Sequence, residues 1–390
     1  MRRLLKWFGR VVLALALAAL VVGLWKREEI TRLLAVQSLF SAEKIVSNFS
    51  NMNKAFLTRP IPRGDGPVSP LPMGPEADLP PEIEDWIAAR AVTSLLVLDD
   101  GQIVHESYHL GTGPEDLRIG WSIAKSFVSA LFGIVQAEGK IGALDDPVTK
   151  YAPVLTGSAY DGVTIRQVLQ MTSGVQFDED YLDYHSDINK MGRVLALGGS
   201  MDGFAAGLDA RASDPGDRWK YVSIDTHVVA MVIRGATGRD LPDLLAEKII
   251  APLGLQAAPY VLTDGRGVAF ALGGLNLTTR DYARFGLMFA QGGQWQGQQI
   301  VPADWVAAST TASAPTAPGK IRYGYQWWIP KGAPDGIFMA RGIYGQYIYI
   351  DRPRGVVIVT TAADRLFREP GVNDDNVAMF RAIALAVAPD

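Results

Sequence analysis

The sequence predicts an α+β fold, an antiparallel sheet flanked by helices with a helical subdomain inserted, and three observations carry that prediction. Alternating apolar runs joined by turn residues stand toward both ends of the chain, in "SLLVLDDGQIVHESYHL" and in "YGQYIYIDRPRGVVIVTT". Between them, apolar residues recur mostly at helical spacing. A last helical segment, "AMFRAIALAVA", closes the chain. Early and late hairpins that join in one sheet place a cleft where the sheet meets the helical block.

The elements follow in chain order. "MRRLLKWFGR" carries Arg2, Arg3, Lys6 and Arg10, and "VVLALALAALVVGLW" then runs fifteen residues without a charge. Counted from Trp7, the stretch approaches the roughly 20 residues that cross a bilayer. Basic residues ahead of it favour a cytoplasmic N-terminus, and Trp7 and Trp25 suit the two interfaces. Residues 1–30 are therefore expected as a single-pass anchor with the body facing the periplasm or exterior. The alternative is a signal peptide cut near Ala19, which leaves a secreted or periplasmic protein. Residues 31–81 are expected as a juxtamembrane helix and a stiff, extended connector, since eight prolines between Pro60 and Pro81 exclude helix and sheet interior. The folded domain is placed at 82–390, opening on the amphipathic helix of "PEIEDWIAARAV".

The first hairpin turns at Asp100-Gly101, a dipeptide suited to positive φ, and the second turns around Pro353 to Gly355. Helical spacing covers 122–138, 165–171, 223–236, 241–250 and 279–291, with Gly139 and Gly238 as stops. The helical subdomain thus spans about 122–290.

Composition narrows the function. A net charge of −4 with both signs spread along 390 residues gives no basic face, so nucleic acid is not an expected partner. The absence of cysteine excludes disulfides, thiolate nucleophiles and Cys-ligated zinc. Four histidines without an HExxH or HxH pair make a metal improbable, and no cofactor is expected. Oligomeric state has no signature in the chain.

The chemistry centres on "IGWSIAKSF". Ser122 and Lys125 stand three apart where an extended run passes into a helix, so hydroxyl and amine share a face. A serine hydroxyl needs a base, and no GxSxG elbow or histidine motif offers one. Lysine serves if its pKa falls from about 10.4 toward neutrality through burial and neighbouring charge. A tyrosine would pass the proton to the leaving group, and Tyr221 in "RWKYVSIDTHVV", just before a helix, suits this better than Tyr184 in "DYHSD". Either Lys125 or a Tyr221 phenolate is a candidate first base. The motif is short, and its second copy, "SAEK" at Ser41 to Lys44, reads as a solvated helix face.

Seven blocks in order, "WSIAKS", "VTKYAPVLTGSAYDGVTIRQVLQM", "FDEDYLD", "YVSIDT", "TTRDYARFG", "YQWW" and "GIYGQYIYID", are far more specific. From about Leu95 onward the chain resembles the serine β-lactamase-like hydrolases. These include class C β-lactamases, DD-peptidases, related esterases and, most similar here, the 6-aminohexanoate-dimer (nylon oligomer) hydrolases. The resemblance implies an acyl-enzyme with Ser122 as nucleophile, Lys125 as base and Tyr221 as proton shuttle, with Ser223 where the β-lactamases carry the Asn of Tyr-x-Asn. It further implies an oxyanion hole from the backbone N–H groups of Ser122 and Ile343. Tyr181 matches a substrate-contacting tyrosine, with structural stacking as its alternative role, and Gly342, Trp327, Trp328 and Leu272 are assigned to the substrate pocket.

Two departures bear on substrate. "ARG" at 340–342 replaces Lys-Thr-Gly, which removes the expected cation for a substrate carboxylate, and Arg341 is expected to point to the opposite strand face. "FALGG" places Leu272 where the nylon-oligomer branch has Asn. The expected activity is hydrolysis of esters or short amides. The alternatives are a penicillin-recognising DD-peptidase or β-lactamase, and a non-catalytic binding protein on the same scaffold.

Overall fold

A computed structural model describes residues 2–389. Seven strands form the main sheet: β1 (Val92–Asp99), β2 (Gln102–Tyr108), β3 (Arg322–Tyr323), β4 (Trp328–Ile329), β5 (Ile337–Gly342), β6 (Gln346–Asp351) and β7 (Val356–Ala362). Their spatial order is β2-β1-β7-β6-β5-β4-β3, antiparallel throughout. The two predicted hairpins meet directly, with Leu98 of β1 opposite Val357 of β7. Asp100 and Gly101 both take positive φ, 43° and 80°, as a two-residue turn between right-twisted strands requires.

Alternation along β6 assigns the two faces. Tyr347 and Tyr349 meet Phe380 of the C-terminal helix Val372–Val387, with ring centroids 5.1 and 5.5 Å away. Ile348 faces the other way, onto the helix Thr279–Ala290. That helix lies very close, because a Cβ added at Gly286 would come within 2.7 Å of Ile348 and 2.8 Å of Val357.

The helical subdomain is built around Ala124–Ala137 and Ser223–Thr237, both almost wholly buried. Ser126 and Ser129 donate to the carbonyls of Gln326 and Tyr325 at 2.8 and 2.7 Å, so the two buried hydroxyls tie this block to the sheet side. The expected helix 241–250 is instead Leu241–Leu245, a wider turn over Ala246–Ile250, and Ala251–Leu253 ending at left-handed Gly254. Two further helices, Asp187–Ala196 and Met201–Ala206, begin at the capping serines Ser186 and Ser200. Glycines at 192, 198, 199, 203 and 207 make this region read as loop in the sequence.

The N-terminal helix Arg2–Trp25 has no buried residue, and its apolar window reaches a mean hydropathy of 2.2. Among the described residues it is the one helix long and apolar enough to cross a membrane. A second helix, Arg27–Gln37, follows after Lys26. Beyond it the expectation of a free connector is corrected. Leu39, Ile45, Phe49, Met52 and Ile61 are buried. Leu57–Pro60 pairs with Tyr260–Thr263 at the edge of a second, four-stranded sheet that continues through Leu275–Leu277 to Arg118–Ile119. The proline-rich stretch is extended, yet it lies on the body. Prolines cannot donate, but the residues between them do: Ile61, Ser69, Gly74 and Ala77 donate their N–H to the carbonyls of Pro259, Gly254, Ile103 and Val104.

Candidate active site

Ser122 sits in a single turn, Trp121–Ile123, between the short strand Arg118–Ile119 and the helix Ala124–Ala137. Trp121 has φ 47°, rare for a bulky residue, so the backbone bends sharply just before the serine. The turn is clamped on two sides. Gly120 leaves no room for a Cβ against the Tyr282 hydroxyl, which donates toward the carbonyls of Arg118 (3.0 Å) and Leu275 (3.1 Å). Gly342, at the end of β5, lies so close to the Gly120 carbonyl that a Cβ there would also collide. Glycine at both positions thus lets the sheet edge reach the serine turn. Ile343 follows at once, and among the described residues its N–H has no backbone acceptor.

Lys125 is the second residue of the helix Ala124–Ala137, one turn past Ser122, and is fully buried, with Nζ donating to the Leu272 carbonyl at 2.7 Å and standing 5.6 Å from the Tyr221 ring centre. Burial brings its pKa from 10.5 down to about 7, against the opposing pull of Glu179 and Asp225. Tyr221, just ahead of the helix Ser223–Thr237, stacks on Trp328 at 5.0 Å and 30°. Burial and the Glu179 charge push its phenol well above the ordinary range. Hydrogen bonding to the Ser122 and Ser223 hydroxyls and the charge of Arg341 pull only part of the way back. Of the two candidate bases, the amine is the one adjusted toward neutrality, and the phenol stays protonated.

Glu179 joins this cluster and was not singled out in the sequence. Its carboxylate accepts from the Ser223 N–H, the Ser223 hydroxyl (3.2 Å) and the Tyr181 hydroxyl (2.9 Å), and burial raises its pKa. The block "FDEDYLD" holds several acids, and nothing in the local pattern says which one turns inward. Asp225, one turn into the same helix as Ser223, is buried, accepts from the Tyr160 hydroxyl at 2.8 Å and is pushed up to about 7 by burial.

Two cavities share Ser122 on their walls. One, about 370 Å³, is apolar and includes Leu272 and Phe270 together with Leu33, Val36, Leu39 and Phe40 of the N-terminal segment. The other, about 410 Å³, is the more polar of the two and includes Tyr221, Trp328, Arg341, Gly342, Glu369 and Asp374. Tyr181 and Ile343 border both, and Ser223 faces the apolar one. Tyr181 therefore lines the cleft and braces Glu179 at once.

Two expectations are corrected here. Arg341 faces the cleft, its guanidinium 5.4 Å from the Trp328 ring centre, while Ala340 is buried opposite Ile348 on the core face. Strand alternation holds, but the parity is the reverse of that expected. Trp327 is a core residue, fully buried between Phe289 (4.5 Å) and Phe338 (5.2 Å), whereas Trp328 reaches the site. The second SxxK copy has Lys44 exposed and contributes to neither cavity.

Comparison with known proteins places the chain in a family. A family model described as Beta-lactamase matches residues 84–387. The chain is 31% identical over 293 residues to a 6-aminohexanoate-dimer hydrolase of Paenarthrobacter ureafaciens, covering 72% of this chain and 74% of that one. A Bacillus anthracis protein named for the 6-aminohexanoate-dimer hydrolases superposes with a TM-score of 0.78 at 23% identity, over 89% of this chain and 95% of its own. A D-stereospecific amidohydrolase from a Streptomyces species superposes with a TM-score of 0.57 at 22% identity, over 76% and 98%.

Proposed function

The chain belongs to the β-lactamase family of hydrolases, and from that membership we propose a membrane-tethered serine hydrolase that works through an acyl-enzyme on esters or short amides. The observation that carries this is that Tyr221 is hydrogen-bonded with the Ser122 hydroxyl while the buried Lys125 amine, brought down to about 7, stands 5.6 Å from the Tyr221 ring centre and the phenol is held protonated. Neutral Lys125 takes the Ser122 proton as Oγ attacks the substrate carbonyl carbon. The oxyanion is held by the N–H groups of Ser122 and Ile343, donors of a kind worth about 3 kcal/mol each. Tyr221 gives its proton to the leaving oxygen or nitrogen as that bond breaks, and the Lys125 ammonium reprotonates the phenolate. Water then repeats the sequence on the acyl-enzyme.

A second reading, a penicillin-recognising peptidase or β-lactamase, is favoured by Arg341. A cation in the polar cavity is what a substrate carboxylate needs, and such a contact is worth about 1.5–3 kcal/mol, or roughly ten- to a hundredfold in kcat/KM. The purified protein is expected to hydrolyse p-nitrophenyl butyrate with higher kcat/KM than nitrocefin. The reverse order, with a ten- to hundredfold loss on nitrocefin in Arg341→Ala, would put the second reading first.

Tethering by residues 1–30 rests on the unburied apolar helix. Full-length protein is expected to stay with membranes through high salt and alkaline wash. A mature chain found to start near Ala19 or Leu20 by mass analysis would replace the anchor with a signal peptide.

A further inference from the structure

We propose that the apolar cavity beside Ser122 is an acyl-chain channel walled by the chain's own membrane-proximal segment, and that the substrates are amphiphiles, a linear acyl chain joined as ester or amide to a polar part. This rests on the serine hydrolase reading above and adds to it which half of the substrate goes where, and from what source.

The orientation follows from the proton donor. Tyr221 lines the polar cavity and not the apolar one. The group that receives its proton, the leaving group, must therefore lie on the polar side with Arg341. The acyl half is left on the apolar side. No acidic side chain lines that cavity, and its one cation, Arg193, stands over the Tyr184 ring at 4.0 Å and donates to the Tyr184 carbonyl. An acyl half ending in an ammonium would find no counter-charge there, whereas a hydrocarbon chain loses nothing by entering.

The wall itself points to the source. Leu33, Val36 and Gln37 fall at i, i+3 and i+4, one stripe of the helix Arg27–Gln37, and they line the cavity together with Phe40 of the turn that follows. The stripe is fixed in place. Arg32 Nε donates to the Ala196 carbonyl at 3.1 Å, and Phe40 stacks on Tyr344 at 4.8 Å and 13°. Leu182 and Tyr184 on the cavity wall are exposed, as are Ile30 and Leu34 of the helix Arg27–Gln37. Only Lys26 separates this helix from Arg2–Trp25. At 1.5 Å per residue, Leu33 and Val36 lie about 12–17 Å along the chain from Trp25, within the reach of one bilayer interface. The acyl chain is thus delivered from the bilayer that holds the anchor.

The test uses full-length protein in phosphatidylcholine vesicles. Across p-nitrophenyl acetate to octanoate, kcat/KM is expected to rise about fourfold per added methylene until the cavity is full. Val36→Trp, which projects into the cavity, is expected to lower the octanoate-to-acetate ratio at least tenfold, with fluorophosphonate labelling of Ser122 as the check that the site is assembled. Leu33→Trp serves the same purpose if Val36→Trp does not label. A flat chain-length profile, or an unchanged ratio in a variant that labels, overturns the channel while leaving the hydrolase reading intact. A wild-type protein that neither labels nor turns over would instead defeat the hydrolase reading. The source is read with monooleoylglycerol placed either in the vesicles that carry the protein or in separate ones. Hydrolysis at least tenfold faster in shared vesicles is expected, and equal rates would overturn delivery from the bilayer and assign the same chain to a soluble amphiphile.

Discussion

Ser122→Ala is expected to abolish turnover and fluorophosphonate labelling while the protein stays folded. The hydroxyl lies on the shared wall of two cavities and supports no packing, so its loss removes the nucleophile and little else. Thermal unfolding should shift by no more than a surface substitution does, on the order of 0.5 kcal/mol. Ser41→Ala is the internal control and should change neither readout, because its lysine, Lys44, faces solvent. Labelling of Ser122→Ala at the wild-type rate would place the nucleophile elsewhere.

Lys125→Met carries the second large effect, and it acts on two quantities at once. Without the base, acylation is expected to fall by more than about 10³, since base and nucleophile act as a unit. Tyr221→Phe should lie in the range of roughly 10²–10⁴ expected for an acid–base group. Stability moves in the opposite direction. The folded-state pKa of Lys125, about 7, is below its unfolded value of 10.5. Between these values the unfolded chain binds a proton that the folded one lacks, so the contribution of this group to stability rises with pH through the window. Below about 7 the full cost of burying the ammonium remains, a few kcal/mol at 1.36 kcal/mol per tenfold. Methionine keeps most of the volume and removes that cost, offset in part by loss of the bond to the Leu272 carbonyl. The variant should therefore melt above wild type at pH 6, with the difference shrinking toward pH 10. Wild-type kcat/KM should rise through an apparent pKa near 7, with no matching alkaline fall from Tyr221, whose phenol is pushed the other way. Equal melting at pH 6, together with activity in Lys125→Met, would mean that the amine is neither strained by burial nor the base.

Much of this was legible because it is local. Asp100-Gly101 between alternating strands, and an apolar helix opening on Ser122 and Lys125, each declare themselves within a dozen residues. What stayed hidden depends on partners far away in sequence. Arg341 and Ala340 differ only in parity, and parity is decided by which face of the sheet the helix Thr279–Ala290 covers, the face it packs on at Ile348, opposite Ala340. The same holds for Trp327 and Trp328, where one enters the core and its neighbour stacks on Tyr221. Leu57–Pro60 carries no strong strand signal, and it is held by Tyr260–Thr263, some 200 residues on. Prolines rightly excluded helix and sheet interior from 61–81, but they do not say whether an extended chain stands free or lies on a surface.

The pairing of β1 with β7 also governs when activity can appear during synthesis. Leu98 waits for Val357, about 260 residues later, and at roughly 5–20 residues per second that delay is on the order of ten seconds to a minute. Ser122, Lys125 and Tyr221 are all made before Arg341, Gly342 and Ile343 arrive at the end of β5, so on the proposed mechanism a nascent chain holds its nucleophile before its second oxyanion donor. Truncated products ending before β5 should be inert toward acyl substrates and leave β1 paired with β2 alone, its other edge open to aggregation. On the proposed mechanism, hydrolytic competence is thus switched on by the last seventh of the polypeptide, after the helix Arg27–Gln37 has long since emerged.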